Sequence, residues 1–279
     1  MASSTVDAMA DELLPYGELL TTTMRVATWN TWGRFGPWEQ REAVLLHCLR
    51  EADADIVCLQ EAWQDDDESQ ASRFAAELGL HSVDGAGMAY EHDFSGPAVL
   101  SRWPIVSHES LHVGDDTQPS SATFVRVDGP RGPIDVVSLI LTWRLDHSAV
   151  RSAHLAEILS WARELNGRFP PLVVCGDFNS VRESDELRAM VGLSPPHAPN
   201  MVFYDAMAMR GEGDPSTFTE RNPFSAVGLY GDKELDHIFS HWPKAHGAGH
   251  PVAASILGDE PIDGMWASDH FGVMADLLY

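Results

Sequence analysis

The sequence predicts an α/β fold in which β-sheets pack together and helices lie outside. Three observations predict it. Apolar runs such as VVSLIL (136–141) and LVVC (172–175) read as strands covered on both faces. Segments with helical apolar spacing separate these runs, and a region of short strands broken by Pro and Gly reads as a meander. The chain has 279 residues, 44% of them hydrophobic, which suffices for one large core.

The elements follow in order. MRVATWN (24–30) is a strand with a polar end. In PWEQREAVLLHCLREA (37–52), Pro37 suits a first helical position, and Trp38, Leu45, Cys48 and Leu49 form one stripe. ADIVCLQE (54–61) is a buried strand ending in an acid, and ESQASRFAAELGL (68–80) is a helix stopped by Gly79. GPAVLSRWP, ATFVRVDGP and PIDVVSLIL supply the meander. Residues 148–167 make a long helix with Leu155, Ile158, Leu159, Ala162 and Leu165 on its core stripe. PPLVVCGDFNS is a strand with a polar exit, ESDELRAMVG a short helix, and LDHIFSH, PVAASIL and HFGVMADLLY are further strands. No repeat or linker interrupts this series. The expected organisation is a short N-terminal tail, 1–23, and one domain, 24–279.

Composition narrows the function. The chain carries 18 basic and 42 acidic residues, a net charge of −24, and such a field repels long polyanions. Duplex nucleic acid is therefore not the expected partner; a small anionic molecule is. No apolar run approaches the roughly 20 residues needed to span a bilayer, so no membrane partner is expected. The first 20 residues carry four acids and no Lys or Arg, unlike a signal peptide. Three cysteines (Cys48, Cys58, Cys175) lie in apolar contexts and read as reduced thiols, which points to the cytoplasm. The scarcity of Lys beside Arg, Ala, Gly and Asp suggests a bacterial, GC-rich source. Oligomeric state is left open.

Four strand ends share a chemical pattern. Each finishes on a carboxylate, amide or imidazole: Asn30; Glu61; Asp177 with Asn179; and Asp236 or Asp269 beside a His. A period of two puts Asp177 and Asn179 on one side of the strand exit and turns Phe178 into packing. An Asx-type turn would use the same residues. LDHIFSH and WASDHFGV each contain Asp-His, and an Asp from one with a His from the other would form an orienting dyad. Clustered acids without a Cys–His pattern favour a hard cation, Mg²⁺ or Mn²⁺, over structural zinc. GxSxG, GxxxxGK[ST], HExxH and CxxC are all absent. His241, His246 and His250 in a glycine-rich loop, and the acidic run 65–68, read as solvated loop residues.

ATWNTWG, DIVCLQEAW, CGDFNS, STFTERNP, LDHIF and SDHFGVMADL, in that order, resemble the motifs of the endonuclease/exonuclease/phosphatase family of metal-dependent phosphoesterases. The resemblance spans 24–279. It implies a DNase I-like four-layer α/β sandwich, two mixed β-sheets face to face with helices outside. It further implies that Glu61 is the principal metal ligand, with Asn30 nearby holding metal or phosphate and Asp269 assisting. Asp177 would orient or deprotonate the attacking water, and Asn179 would hold a phosphoryl oxygen. His270 would contact the phosphate, held by Asp236.

One position departs from the family pattern. Many relatives place a His or Tyr where this chain has Ile140, and an acid where it has Thr142. Trp143, Arg144, Asp146, His147 and Arg151 still match the bacterial branch. Isoleucine neither donates a proton nor contacts an anion. Arg144, His147 or His154 could replace the missing group; Trp143, Arg144, His147 and Ile140 are the expected substrate-side residues. The leading expectation is metal-activated water attack on a small phosphoester. A repurposed enzyme using the metal as a Lewis acid on a non-phosphate substrate, in specialised metabolism, is an alternative. A catalytically silent binding protein is another.

Overall fold

A computed structural model describes residues 16–90, 93–167, 171–241 and 244–279. Most of the expected N-terminal tail therefore lies outside the described residues. Residues 16–20 pair with the 3-10 turn at Ala245–Gly247, through Leu20 N to His246 O and His246 N to Tyr16 O.

Among the described residues, thirteen strands form two mixed sheets. The first contains β1 (Thr23–Asn30), β2 (Ile56–Gln64), β3 (His81–Asp84), β4 (Met88–Tyr90), β5 (Asp93–Ser101), β12 (Pro251–Leu257) and β13 (Gly272–Leu278). Its order is β12-β13-β1-β2-β5-β3, with β4 also on β5. The second contains β6 (Ile105–Val113), β7 (Ser120–Gly129), β8 (Gly132–Ile140), β9 (Leu172–Asp177), β10 (Phe203–Asp205) and β11 (Asp236–His241). Its order is β10-β11-β9-β8-β7-β6.

Within these sheets β1/β2 and β8/β9 pair in parallel, and the other pairs are antiparallel. A parallel pair needs a crossover, and a helix supplies each one: α1 (Trp38–Ala52) and α3 (Ser148–Asn166). Both parallel pairs thus bring their carboxyl ends to one edge of the molecule, where open α/β sheets bind ligands.

Alternation along the strands builds three apolar layers. Val26, Ile56 and Cys58 of the first sheet meet Val136, Val173 and Cys175 of the second between the sheets. Ala27, Trp29, Val57 and Leu59 turn outward onto α1 and α2 (Gln70–Leu78). Val137, Leu139 and Val174 turn outward onto α3 and α4 (Asp185–Met190). The outcome is the expected four-layer sandwich. Burying such side chains on both faces of each sheet contributes about 1.5–3 kcal/mol apiece. Among the described residues no helix is long and apolar enough to cross a membrane, and Cys48, Cys58 and Cys175 are free thiols.

Candidate active site

The strand ends converge as hydrogen-bonded neighbours. Asn30, last in β1, donates through Nδ2 to Glu61 Oε1 and to Asp177 Oδ2, each at 3.0 Å. Asn179 also donates to Asp177, from Nδ2 to Oδ2 at 3.1 Å and from its backbone to Oδ1 at 2.8 Å. Asp236 opens β11 directly opposite Asp177, and His270 donates from Nδ1 to Asp236 Oδ2 at 2.8 Å. Ligating atoms of Asp177, Asp236 and His270 lie within 4.8 Å of one another. Asp269 shares the cavity above them.

Two devices aim these side chains. β2 slips its register against β5 between Leu59 and Ala62, and Glu61 there has φ 51°. Regular alternation from inward Cys58 and outward Leu59 would send Glu61 outward; the bulge adds a residue, so Ala62 takes the outward place. A non-glycine residue with positive φ costs about 1–3 kcal/mol, and such strain clusters at functional sites. Asn179 shares it, with φ 48°. Ser268 is the second device. Its hydroxyl donates to Asn30 O at 2.7 Å and accepts from His270 N, tying the His270 segment to the end of β1.

Charge is concentrated here. Burial, reinforced by the charge of Asp236, pushes Asp177 up to about 7. Burial likewise pushes Asp269 up to about 6, with Glu61 adding to it, and raises Glu61 itself. Burial alone would lower His270, but the charges of Asp236, Asp177 and Asp269 outweigh it and hold the imidazole well above its usual range. A protonated His270 anchored through Nδ1 presents a charged donor to the cavity. A carboxyl near neutrality at Asp177 suits proton transfer with water.

Sequence reasoning missed Arg41. This fully buried guanidinium donates to the carbonyls of Thr31, Trp32, Gly33, Phe35 and Ala267, fixing the loop after β1. Burial lowers it to about 10, so it stays charged at neutral pH beside Glu61 and Asp269. Its place on a helix with an apolar stripe made it look like an ordinary polar position. A second missed group is Glu186, which accepts from Ser148, Arg151 and Ser180 at 2.7–2.8 Å in the cavity wall.

The donor set fits a hard divalent cation. Glu61 and Asp269 are half-buried carboxylates on one cavity; the charge of Glu61 adds to the raised proton affinity of Asp269, and that of Asp177 to the raised proton affinity of Glu61, a repulsion that a bound cation relieves. Asn30 differs from its expected ligand role. Its amide oxygen accepts from Trp32 N at 2.9 Å, and it meets the carboxylates with its NH₂ group. It therefore orients Glu61 and Asp177.

The substrate-side expectations divide. Trp143 lines the cavity, whereas Arg144 lies exposed with its guanidinium 5.4 Å from the Trp143 ring and outside the lining. His147 turns to Thr142 Oγ1, 3.0 Å from Nδ1, at the cap of α3. His154 is held by Ser120 Oγ at 2.8 Å, and burial lowers it. Ile140 sits beside Asp177 in the parallel β8/β9 register. The three histidines expected in one loop do not converge: His241 ends β11 and donates to Asn200 O, His246 donates to Glu18 O, and His250 faces Arg210.

A four-layer sandwich with an acidic, histidine-bearing cleft at its strand ends defines the class. The model of the Endonuclease/Exonuclease/phosphatase family matches residues 27–270, and the chain belongs to that family. It is 31% identical to the uncharacterized protein YbhP of Escherichia coli over 168 residues, 53% of this chain and 64% of that protein. It is 28% identical to protein angel homolog 2 of Bos taurus over 52% of this chain and 29% of that one. The matched stretches thus span less than two thirds of these relatives.

Among solved structures, TDP2 from C. elegans superposes with TM-score 0.73 at 14% identity, covering 100% of this chain and 82% of that one. The human Nocturnin catalytic domain, with bound sulfate anion, gives 0.68 at 19%, covering 93% and 96%. These likenesses concern the fold.

Proposed function

We propose that this chain is a divalent-metal-dependent phosphodiesterase acting on a small anionic phosphoester. One observation carries the reading: the Asp236–His270 dyad faces the Asn30-linked carboxylates Glu61 and Asp177 across the ends of both sheets. Glu61 and Asp269 would hold Mg²⁺ or Mn²⁺, which when bound neutralises phosphoryl charge and lowers the pKa of water. Asp177 takes the proton of the attacking water, oriented by Asn30 and Asn179. His270 donates to a phosphoryl oxygen, and Asp236 fixes its tautomer. The water oxygen bonds to phosphorus, the ester P–O bond breaks, and a phosphomonoester and an alkoxide or phenolate leave, the latter taking any proton it needs from solvent water. Net charge −24 favours a small substrate over duplex DNA, and free Cys48, Cys58 and Cys175 fit a reducing, cytoplasmic setting.

The test is turnover of bis(4-nitrophenyl) phosphate, 4-nitrophenyl phosphate and nicked duplex DNA with Mg²⁺ or Mn²⁺. Turnover of the first and not the last is expected. Ile140 beside Asp177 favours a second reading, metal-assisted chemistry on a non-phosphate substrate. Tight divalent binding with no turnover of any ester would select it. No divalent binding would leave a silent binding protein.

A further inference from the structure

The cavity above the dyad holds about 510 Å³, a volume suited to a whole small-molecule ligand. Its floor is the acidic site, and apolar side chains make up much of its wall, beside Glu186, Arg151 and Lys233. Three loops each contribute two side chains: Trp32 and Phe35 after β1, Trp143 and Leu145 after β8, and Phe218 and Tyr230 before β11. Trp143 is 53% exposed, Leu145 65% and Tyr230 46%, while Leu229 beside Tyr230 reaches 83%. Exposed apolar groups scattered singly need no explanation; a set converging on one cleft does.

This wall is built. The excursion from Phe218 to Lys233 is closed at its base by a reciprocal backbone pair at 2.8–2.9 Å and by Thr219 Oγ1 on Asp232 Oδ1 at 2.6 Å. Asn222 within it donates to Ser268 O at 2.7 Å, and Phe224 packs against Trp32 at 5.1 Å. The excursion is thereby fixed to both segments that carry the site. Leu229 adopts φ 56°, a strained conformation for a branched side chain, at the exposed tip.

Cations point the same way by their scarcity. Of those lining the cavity, Arg151 is tied to Glu186 at 2.8 Å and to two backbone carbonyls. Lys233 makes no ion pair among the described residues. Arg34, next in sequence to the lining residue Phe35, is engaged by Asp65 at 2.6 Å and by the Trp63 ring at 3.9 Å. Among the described residues, Lys233 in the lining and exposed Arg144 beside Trp143 are the cations at this cleft without an ion pair, too few to track the successive phosphates of a polynucleotide.

We propose that the substrate carries a single phosphate bearing a bulky apolar substituent, an aromatic ring or a hydrocarbon chain, seated among these six side chains. Lys233 takes the phosphate's remaining charge. This rests on the phosphodiesterase reading and adds the chemical class of the ester.

The test uses 4-nitrophenyl phosphodiesters whose second substituent is methyl, phenyl or octyl. The shared 4-nitrophenolate leaving group keeps the reaction constant. At least a tenfold higher kcat/KM for the phenyl or octyl ester than for methyl is expected, carried by KM, and the favoured arm identifies ring or chain. Tyr230→Ser and Leu145→Ser should bring that ratio towards one. Leu193→Ser, at a position 65% exposed and outside the cavity lining, should leave it intact. Equal kcat/KM for all three esters overturns this inference alone. No turnover of any ester overturns the phosphodiesterase reading and this inference with it.

Discussion

Asp177 and Asp236 are direct register partners in the β9/β11 ladder, two buried carboxylates facing each other across one pair of strands. Like charges so placed destabilise a sheet. Here the arrangement is held by donors: Asn30 and Asn179 on Asp177, and His270 on Asp236. Burial, with the charge of Asp236 added, raises Asp177 towards neutrality, and the same acids hold the proton on His270. Sheet register, not loop geometry, sets this chemistry.

Replacing Asp236 by Asn separates the two effects. His270 keeps a hydrogen-bond partner but loses the adjacent negative charge, so kcat on bis(4-nitrophenyl) phosphate should fall by about 10²-fold or more. Stability should hold or rise, because one of two opposed buried charges is gone. Steady-state kinetics with urea denaturation checks both, and an unchanged kcat would remove the dyad from the reaction.

Glu61 decides metal binding. Mn²⁺ at about 100 times its Kd should stabilise the wild type by roughly 2.7 kcal/mol, seen as a higher Tm. Glu61→Gln keeps the hydrogen bond with Asn30 but removes the charge, so most of that gain should disappear. Chelation should abolish turnover and restored Mn²⁺ should recover it. Equal Mn²⁺ stabilisation of both proteins would place the ion elsewhere.

His237 makes stability depend on pH. Its Nδ1 lies 3.7 Å from Asp205 and 3.9 Å from Glu234, with Arg182 bonded to both acids. Burial lowers its proton affinity, but Asp205 and Glu234 outweigh burial and raise it above the ordinary 6.5. The folded state therefore holds this proton more tightly than the unfolded state. Its contribution is complete below pH 6.5 and is lost as pH climbs through the raised folded value. Urea unfolding between pH 6 and 9 should show a decline that His237→Gln removes; parallel pH curves would refute the assignment.

Legibility in the sequence followed burial. Strands such as β8 and β9, covered on both faces, announce themselves as apolar runs, and their polar exits mark Asp177 and Asn179. β6, Ile105–Val113, was not legible because its side chains are mostly exposed and its IVSHESLHV sequence lacks an apolar face. β3, β4 and β10 are three or four residues long, too short for a period to register. In the site, acids at strand ends were visible, whereas Arg41, Glu186 and the Phe218–Lys233 excursion act through contacts distant in sequence. Asn30 was visible as a polar exit, but which end of its amide meets the carboxylates depends on the Trp32 backbone.

Ile140 offers the sharpest test of the substrate side. Alternation puts Ile134, Val136 and Ser138 on the inter-sheet face, so Ile140 shares that face with Asp177, its parallel register partner. It is 7% exposed, and a histidine there would stand beside the carboxyl expected to take the water's proton. Ile140→His should lower stability by about 1–3 kcal/mol, because a polar ring replaces a buried aliphatic side chain. It should raise kcat at least tenfold for diesters with an alkyl leaving group, which needs a proton as it departs. Esters of 4-nitrophenol should gain little, since that anion leaves unaided. A gain confined to the alkyl esters would identify an imidazole at position 140 as a leaving-group donor. Absence of any gain would mean that the apolar walls, and not position 140, set what this site accepts.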